Sequence, residues 1–184
     1  MMKTAIKYGA IIAAVIFIIN SILIDFIGLQ NQFVRMYSGY VPFVLFGLGL
    51  FWAMRKVKHQ HYHNDLNYGQ AIYSGIVLSA FIGLFMGILN FIYFQFLNPG
   101  YAEEILKIAL PLMEADKIPV EEIEKEKEII YETYKPINQL TATFVVLMII
   151  GVAYSAVFSA FLRTKDTFTQ IVQGKPQTET EEEK

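Results

Sequence analysis

The sequence predicts an all-α integral membrane protein, a bundle of four transmembrane helices with an outer helical loop between the third and the fourth. Three observations predict it. No charged residue interrupts the stretches 8–24, 36–54, 66–102 and 136–162, and crossing about 30 Å of hydrocarbon takes roughly 20 apolar residues. The chain is 54% hydrophobic and 17% charged, whereas ordinary soluble domains are about 25% charged. Small residues recur every fourth position in the last two stretches, the pattern of membrane helices that approach closely.

The first span is expected near residues 7–26. Lys3 and Lys7 ahead of an apolar run imitate a secretory signal, but the run continues to Asp25 with no small-x-small cleavage site after it. It reads as an uncleaved first helix. Asp25 stands at its outer end with Arg35 across a short loop, and reads as a partly solvated interfacial aspartate. The second span is expected near 39–54, with Tyr37 and Tyr40 at one end and Trp52 at the other, where amphipathic rings collect at headgroup level.

The third span is expected near 70–97, about 28 residues or about 42 Å at 1.5 Å per residue. A helix of that length must tilt or project. Gly75, Ser79, Gly83 and Gly87 fall on one of its faces, and Gly151, Ser155 and Ser159 repeat the device in the fourth span, expected near 137–162. These seven are the predicted helix-packing residues. Packing within the bundle is preferred to a dimerisation face or a gate. Gly47 and Gly49 are too closely spaced to form such a stripe. Asn20 and Asn90 are the polar side chains least able to satisfy themselves within one helix, so bonds between helices are expected of them. Thr141, Thr143 and the serines can return a hydroxyl to the preceding turn.

The loop at 98–135 is expected outside the membrane as a helical hairpin. Asn98-Pro99 resembles a helix start, and Pro111 is expected to kink or break the first helix near Leu110. A second start lies at Pro119, with Glu121 and Glu122 suited to the positive end of the helix dipole. Val120, Ile123, Ile130 and Tyr134 make its narrow apolar stripe. Residues 1–167 thus form one transmembrane domain, and 168–184 a largely disordered tail.

Charge sets the sidedness. Lys3, Lys7, Arg55, Lys56, Lys58, Arg163 and Lys165 flank one set of helix ends, whereas the first loop offers Arg35 alone. The five lysines of the loop at 98–135 are scattered among ten acidic residues. The positive-inside rule then places both termini and the second loop in the cytoplasm.

Little in the sequence speaks of chemistry. A net charge of −2 provides no basic field for nucleic acid. The absence of cysteine excludes a disulfide framework, a thiolate metal site and a cysteine nucleophile. No phosphate-binding glycine loop and no nucleophile motif occurs. No ionisable group lies at mid-membrane depth, which argues against ion-coupled transport. His59, His61 and His63 are the weak candidate metal ligands: imidazoles suit zinc, nickel or copper, and an extended strand would align all three. Arg55, Lys56 and Lys58 beside them oppose a cation, so a polar juxtamembrane loop is the preferred reading and no metal or other cofactor is expected.

Several local patterns occur together: a lysine-led first helix ending near Asp25, Tyr68-Gly69-Gln70-Ala71 entering a glycine-spaced third helix, and Phe96-Leu97-Asn98-Pro99 opening an acidic helical loop. Together they resemble an uncharacterised family of small four-helix bacterial inner-membrane proteins, a domain of unknown function. The resemblance implies the four-helix architecture and the bacterial inner membrane, and carries no activity or catalytic residue. The expected function is non-enzymatic interaction with lipid or with a protein partner through 98–135. The alternative is a small channel or carrier built by homo-oligomerisation, with Asn20, Asn90 and the hydroxyls of the fourth span along its path.

Overall fold

The computed structural model describes residues 1–24 and 39–164. Among these residues six α-helices follow one another: α1 (Met2–Ile22), α2 (Val41–His61), α3 (Tyr68–Ile92), α4 (Tyr101–Ala115), α5 (Val120–Thr133) and α6 (Pro136–Leu162). A π-helical turn, Tyr93–Leu97, extends α3. There is no strand among the described residues. Asp25 and Arg35, Tyr37, Lys165 and the tail at 168–184 lie outside them.

Helix α3 is the hub, packed against α1, α2 and α6. Its entry is fixed by a reciprocal cap. The Gln70 backbone N–H donates to Asn67 Oδ1 at 2.9 Å, and the Asn67 N–H donates to Gln70 Oε1 at 3.1 Å. Two of the unsatisfied donors of a helix start are thereby paired. The signal was present in the sequence as Asn67 followed three residues later by Gln70, ahead of an apolar run.

The closest contact in the bundle is the antiparallel seam between α3 and α6. A side chain at Gly75 would run into the Ser155 Oγ and Cβ, and one at Gly151 into the Ser79 Oγ and Cβ. Each glycine thus receives the serine of the other helix. Ser79 donates its hydroxyl to Gly75 O at 2.8 Å, Ser155 donates to Gly151 O, and Ser159 donates to Ser155 O at 2.6 Å. These serines are fully buried yet leave no donor unpaired. Further along, a Cβ at Gly87 would stand 2.8 Å from Leu140 O, whereas one at Gly83 would meet Phe144 and Leu147 at 3.4–3.5 Å, an ordinary contact.

Three close approaches were not legible as a stripe. A Cβ at Gly9 would stand 2.8 Å from the Phe81 Cβ, at Gly47 2.9 Å from the Tyr154 ring, and at Gly49 2.7 Å from Ile12 Cγ2. Gly47 and Gly49 serve opposite faces of α2, toward α6 and α1 respectively. Their two-residue spacing is therefore no defect, because successive even positions of a helix point far apart.

The bundle is apolar on its outside as well as in its core. Ser74, Ser79, Ser155 and Ser159 are buried, while Ile11, Val15 and Ile18 of α1, Val44 and Leu48 of α2, Leu84 and Ile88 of α3, and Ile149 and Val157 of α6 are exposed. Apolar residues all round a helix mark a lipid setting. Among the described residues three helices are long and apolar enough to cross a membrane: α1, α3 with its π-helical turn, and α6. The second span, expected near 39–54, does not reach that standard. Helix α2 runs on past residue 54 through Arg55, Lys56 and Lys58, and its uncharged part, 41–54, is about 21 Å long at 1.5 Å per residue.

The hairpin α4–α5 departs from expectation twice. Helix α4 begins at Tyr101 with Gly100 as its N-cap, not at Asn98, and it passes through Pro111 without ending. Pro111 and Lys107, whose carbonyl loses its donor, are both exposed, so water replaces the missing bond. Aromatic rings fasten the hairpin to the bundle. Tyr101 and Tyr134 lie 4.9 Å apart, Phe94 and Tyr101 5.3 Å, and Tyr93 and Phe94 5.2 Å between centroids. Burial in this cluster raises the Tyr134 phenol above its ordinary pKa. The ion pairs Lys125–Glu121 and Lys127–Glu124, and that of Lys135 with Glu132, are largely exposed and contribute little.

The seam makes a graded prediction. Gly75→Ala and Gly151→Ala insert a methyl group into an occupied contact and should each cost about 1–3 kcal/mol in detergent. Gly83→Ala should be tolerated or mildly stabilising, since alanine is the better helix former by about 1 kcal/mol. Unfolding curves of the three variants measure this. Equal losses at all three positions would contradict the geometry.

Candidate functional site

At the end of the bundle nearest the hairpin, the helices part around a cavity of roughly 240 Å³. Its walls are Ile16 and Asn20 of α1, Pro42 and Phe43 of α2, Met86 and Asn90 of α3, and Thr143, Val146 and Leu147 of α6. It lies beside the α3–α6 seam, at the level where Gly83 faces Leu147.

Two amides enter this apolar space, and they fare differently. Asn90 Nδ2 donates to Thr143 Oγ1 at 2.9 Å, joining α3 to α6 as expected of an intramembrane asparagine. Asn20 was expected to bond another helix, and it does not. Its Oδ1 is buried and has no hydrogen-bond partner among the described residues. Leaving a buried acceptor unmade costs about 1–3 kcal/mol. The cavity is thus an apolar chamber with one unsatisfied acceptor and one hydroxyl on its wall. It suits a molecule with an apolar body and a single O–H or N–H donor. No ionisable side chain lines it.

The opposite end is polar and differently built. Lys58 Nζ donates to Leu162 O at 2.7 Å, placing a cation at the negative end of α6. Thr164 clamps the α2–α3 connection. The Leu66 N–H donates to Thr164 Oγ1 at 3.0 Å, the Thr164 N–H to Leu66 O at 2.9 Å, and the Thr164 hydroxyl to Asn64 O at 2.8 Å. His63 and Asn64 take left-handed φ angles of 47° and 71° to reverse the chain there; short polar side chains tolerate that region best.

The three histidines are not brought together. His59 and His61 lie within α2, two positions apart and so on different faces, while His63 sits in the turn beyond it. His61 Nε2 is hydrogen-bonded to Thr4 Oγ1 at 2.8 Å, and His59 lines a shallow groove with Trp52, Arg55 and Lys56. Among the described residues, no three His, Asp or Glu side chains converge as metal ligands do. The strand that would align all three imidazoles does not form, because α2 continues as helix to His61.

Of the predicted packing residues, Gly75, Ser79, Gly151 and Ser155 meet directly in the seam, Gly83 and Gly87 face Phe144 and Leu140, and Ser159 extends the row. None of them lines the cavity. The residues that do line it were not legible as a group, since apolar side chains on four helices carry no common spacing. Asn20 and Asn90 were the available signal.

No curated protein and no solved structure matches the chain. The model of one family, DUF4199, described as a protein of unknown function, matches residues 7–164. That match takes in the described bundle from residue 7 onward together with the hairpin, and the chain belongs to this family.

Proposed function

We propose that this chain is a four-span, non-enzymatic protein of the bacterial inner membrane that holds a lipid or similar amphipathic molecule in the cavity between its helices. The observation that carries the reading is the unpartnered, buried Asn20 Oδ1 in the wall of a largely apolar chamber. A ligand bearing one hydroxyl or amine would supply the missing donor, and its apolar body would lie against Phe43, Met86 and Leu147. The alternative, a small oligomeric channel or carrier, has no comparable observation in its favour.

Helix α2 is taken as the fourth span because its outward face, Val44, Leu48 and Trp52, is as apolar and exposed as that of the other three. A short uncharged stretch is accommodated by local thinning or by flanking residues that reach the interface. Both termini and the α2–α3 turn are assigned to the cytoplasm, and α4–α5 to the outside, from the lysine and arginine asymmetry.

Two experiments test the reading. Single cysteines replacing His61 and Glu124 in this cysteine-free chain should differ toward an impermeant maleimide in intact spheroplasts: labelling at 124 and none at 61. The reverse pattern would overturn the orientation. For the site, Asn20→Leu removes the unmade acceptor, so the variant should melt no lower than the parent. It should also lose a bound amphiphile that the parent retains through mild detergent purification, as read by mass spectrometry of the extract. Identical extracts from the two proteins would end the ligand proposal.

A further inference from the structure

A second feature lies at the other end of the molecule, apart from the cavity. Trp52, Arg55, Lys56 and His59 line a groove of roughly 280 Å³. Their spacing of three and four residues puts all of them on one face of α2. Val44 and Leu48 continue that face one and two turns toward the middle of the bundle, both exposed and apolar. A single stripe therefore runs from aliphatic side chains, through an indole, to two cations and an imidazole.

The cations are held ready rather than spent. Arg55 and Lys56 are exposed and form no ion pair among the described residues. Lys56 Nζ stands 5.7 Å from the centre of the Trp52 ring, which is itself braced by Tyr8 at 5.1 Å, edge to face. Gln60 Nε2 donates to Tyr8 Oη at 3.2 Å, and Thr4 bonds His61. These contacts bring the start of α1, with the exposed Lys3 and Lys7, to the same level. Asp65 is the one acid on this side among the described residues, and it forms no ion pair.

We infer that this groove binds the phosphate of an anionic phospholipid. Arg55 and Lys56 take the phosphate, Trp52 packs on the glycerol region, and one acyl chain lies along Leu48 and Val44. Arginine pairs with phosphate in a fork geometry that lysine lacks. The apolar stripe directly below the cations favours a lipid over a free anion, which has no use for Val44 and Leu48. The surplus of unpaired positive charge favours a lipid of net negative charge over a zwitterionic one. The inference rests on α2 being the fourth span, since only then do Arg55 and Lys56 stand at headgroup level.

The test uses the full-length protein, delipidated in non-ionic detergent and titrated with phosphatidylglycerol, phosphatidylcholine or inorganic phosphate under native mass spectrometry. Phosphatidylglycerol should be retained at least about tenfold better than phosphatidylcholine, and excess inorganic phosphate should not displace it. Arg55→Gln with Lys56→Gln should abolish the preference, because each juxtamembrane cation contributes on the order of a fewfold to tenfold in affinity. Lys125→Gln with Lys127→Gln, on the hairpin, should leave it intact. Equal retention of the two lipids by the parent protein would overturn the inference, whatever the variants do. Equal loss in the hairpin variant would overturn it as well, by reducing the effect to net charge. Displacement by phosphate alone would show a bare anion site. Because binding is read in detergent, a failed orientation assay would not be mistaken for a failed lipid site.

Discussion

The interlocking of α3 with α6 is the contact on which the remaining geometry depends. Gly75 receives Ser155 and Gly151 receives Ser79, an exchange that works in one antiparallel register only. Moving either helix by one residue would place a side chain where only hydrogen fits. In lipid no hydrophobic force drives helix onto helix, so close packing and satisfied hydroxyls must hold the pair. With the register set, Asn90 falls opposite Thr143 at one end. At the other end Thr164 closes on Leu66 and Asn64, and Lys58 caps the last turn of α6.

The seam stays close from Gly75 to Gly87, and the cavity lies beside it, between these two helices, α1 and α2. The chamber has largely apolar walls because the bundle is a lipid-embedded one, in which the buried polar residues are serines that bond their own helices. Against that background, an amide with an unmade acceptor is an exception with a cost, and it marks the site more sharply than the cavity's size does. The two ends of the bundle differ in kind. Short basic segments crowd one end, while the acidic hairpin stands on an aromatic cluster at the other.

What the sequence disclosed, and what it concealed, follows from the range of each interaction. Apolar stretches and four-residue spacing are properties of single helices, so the membrane class and the rows through Gly75 and Gly151 can be read directly. Gly9, Gly47 and Gly49 each meet a different neighbour, and no pattern within one helix announces them. Helix ends were misjudged where polar residues continue a helix beyond its apolar part. That is why α2 keeps Arg55, Lys56 and His59 on one face, and why, among the described residues, three helices rather than four are long and apolar enough to cross a membrane. Pro111 does not break α4, because an exposed carbonyl can bond water instead of a backbone donor. Asn90 was legible as a bond between helices, whereas the solitude of Asn20 depends on side chains from four helices at once.

The account stands or falls on α3 and α6 meeting within one chain. A Cβ placed at Gly83 would lie 3.5 Å from that of Leu147, at the near edge of the roughly 3.5–4.5 Å that a disulfide spans. In a chain without native cysteine, Gly83→Cys with Leu147→Cys should oxidise in native membranes to an internal disulfide. The product would be a monomer lighter by two hydrogens, with no free thiol and restored by reductant. A covalent dimer, or two thiols that stay free under oxidant, would show that these faces do not pack against each other in the same molecule.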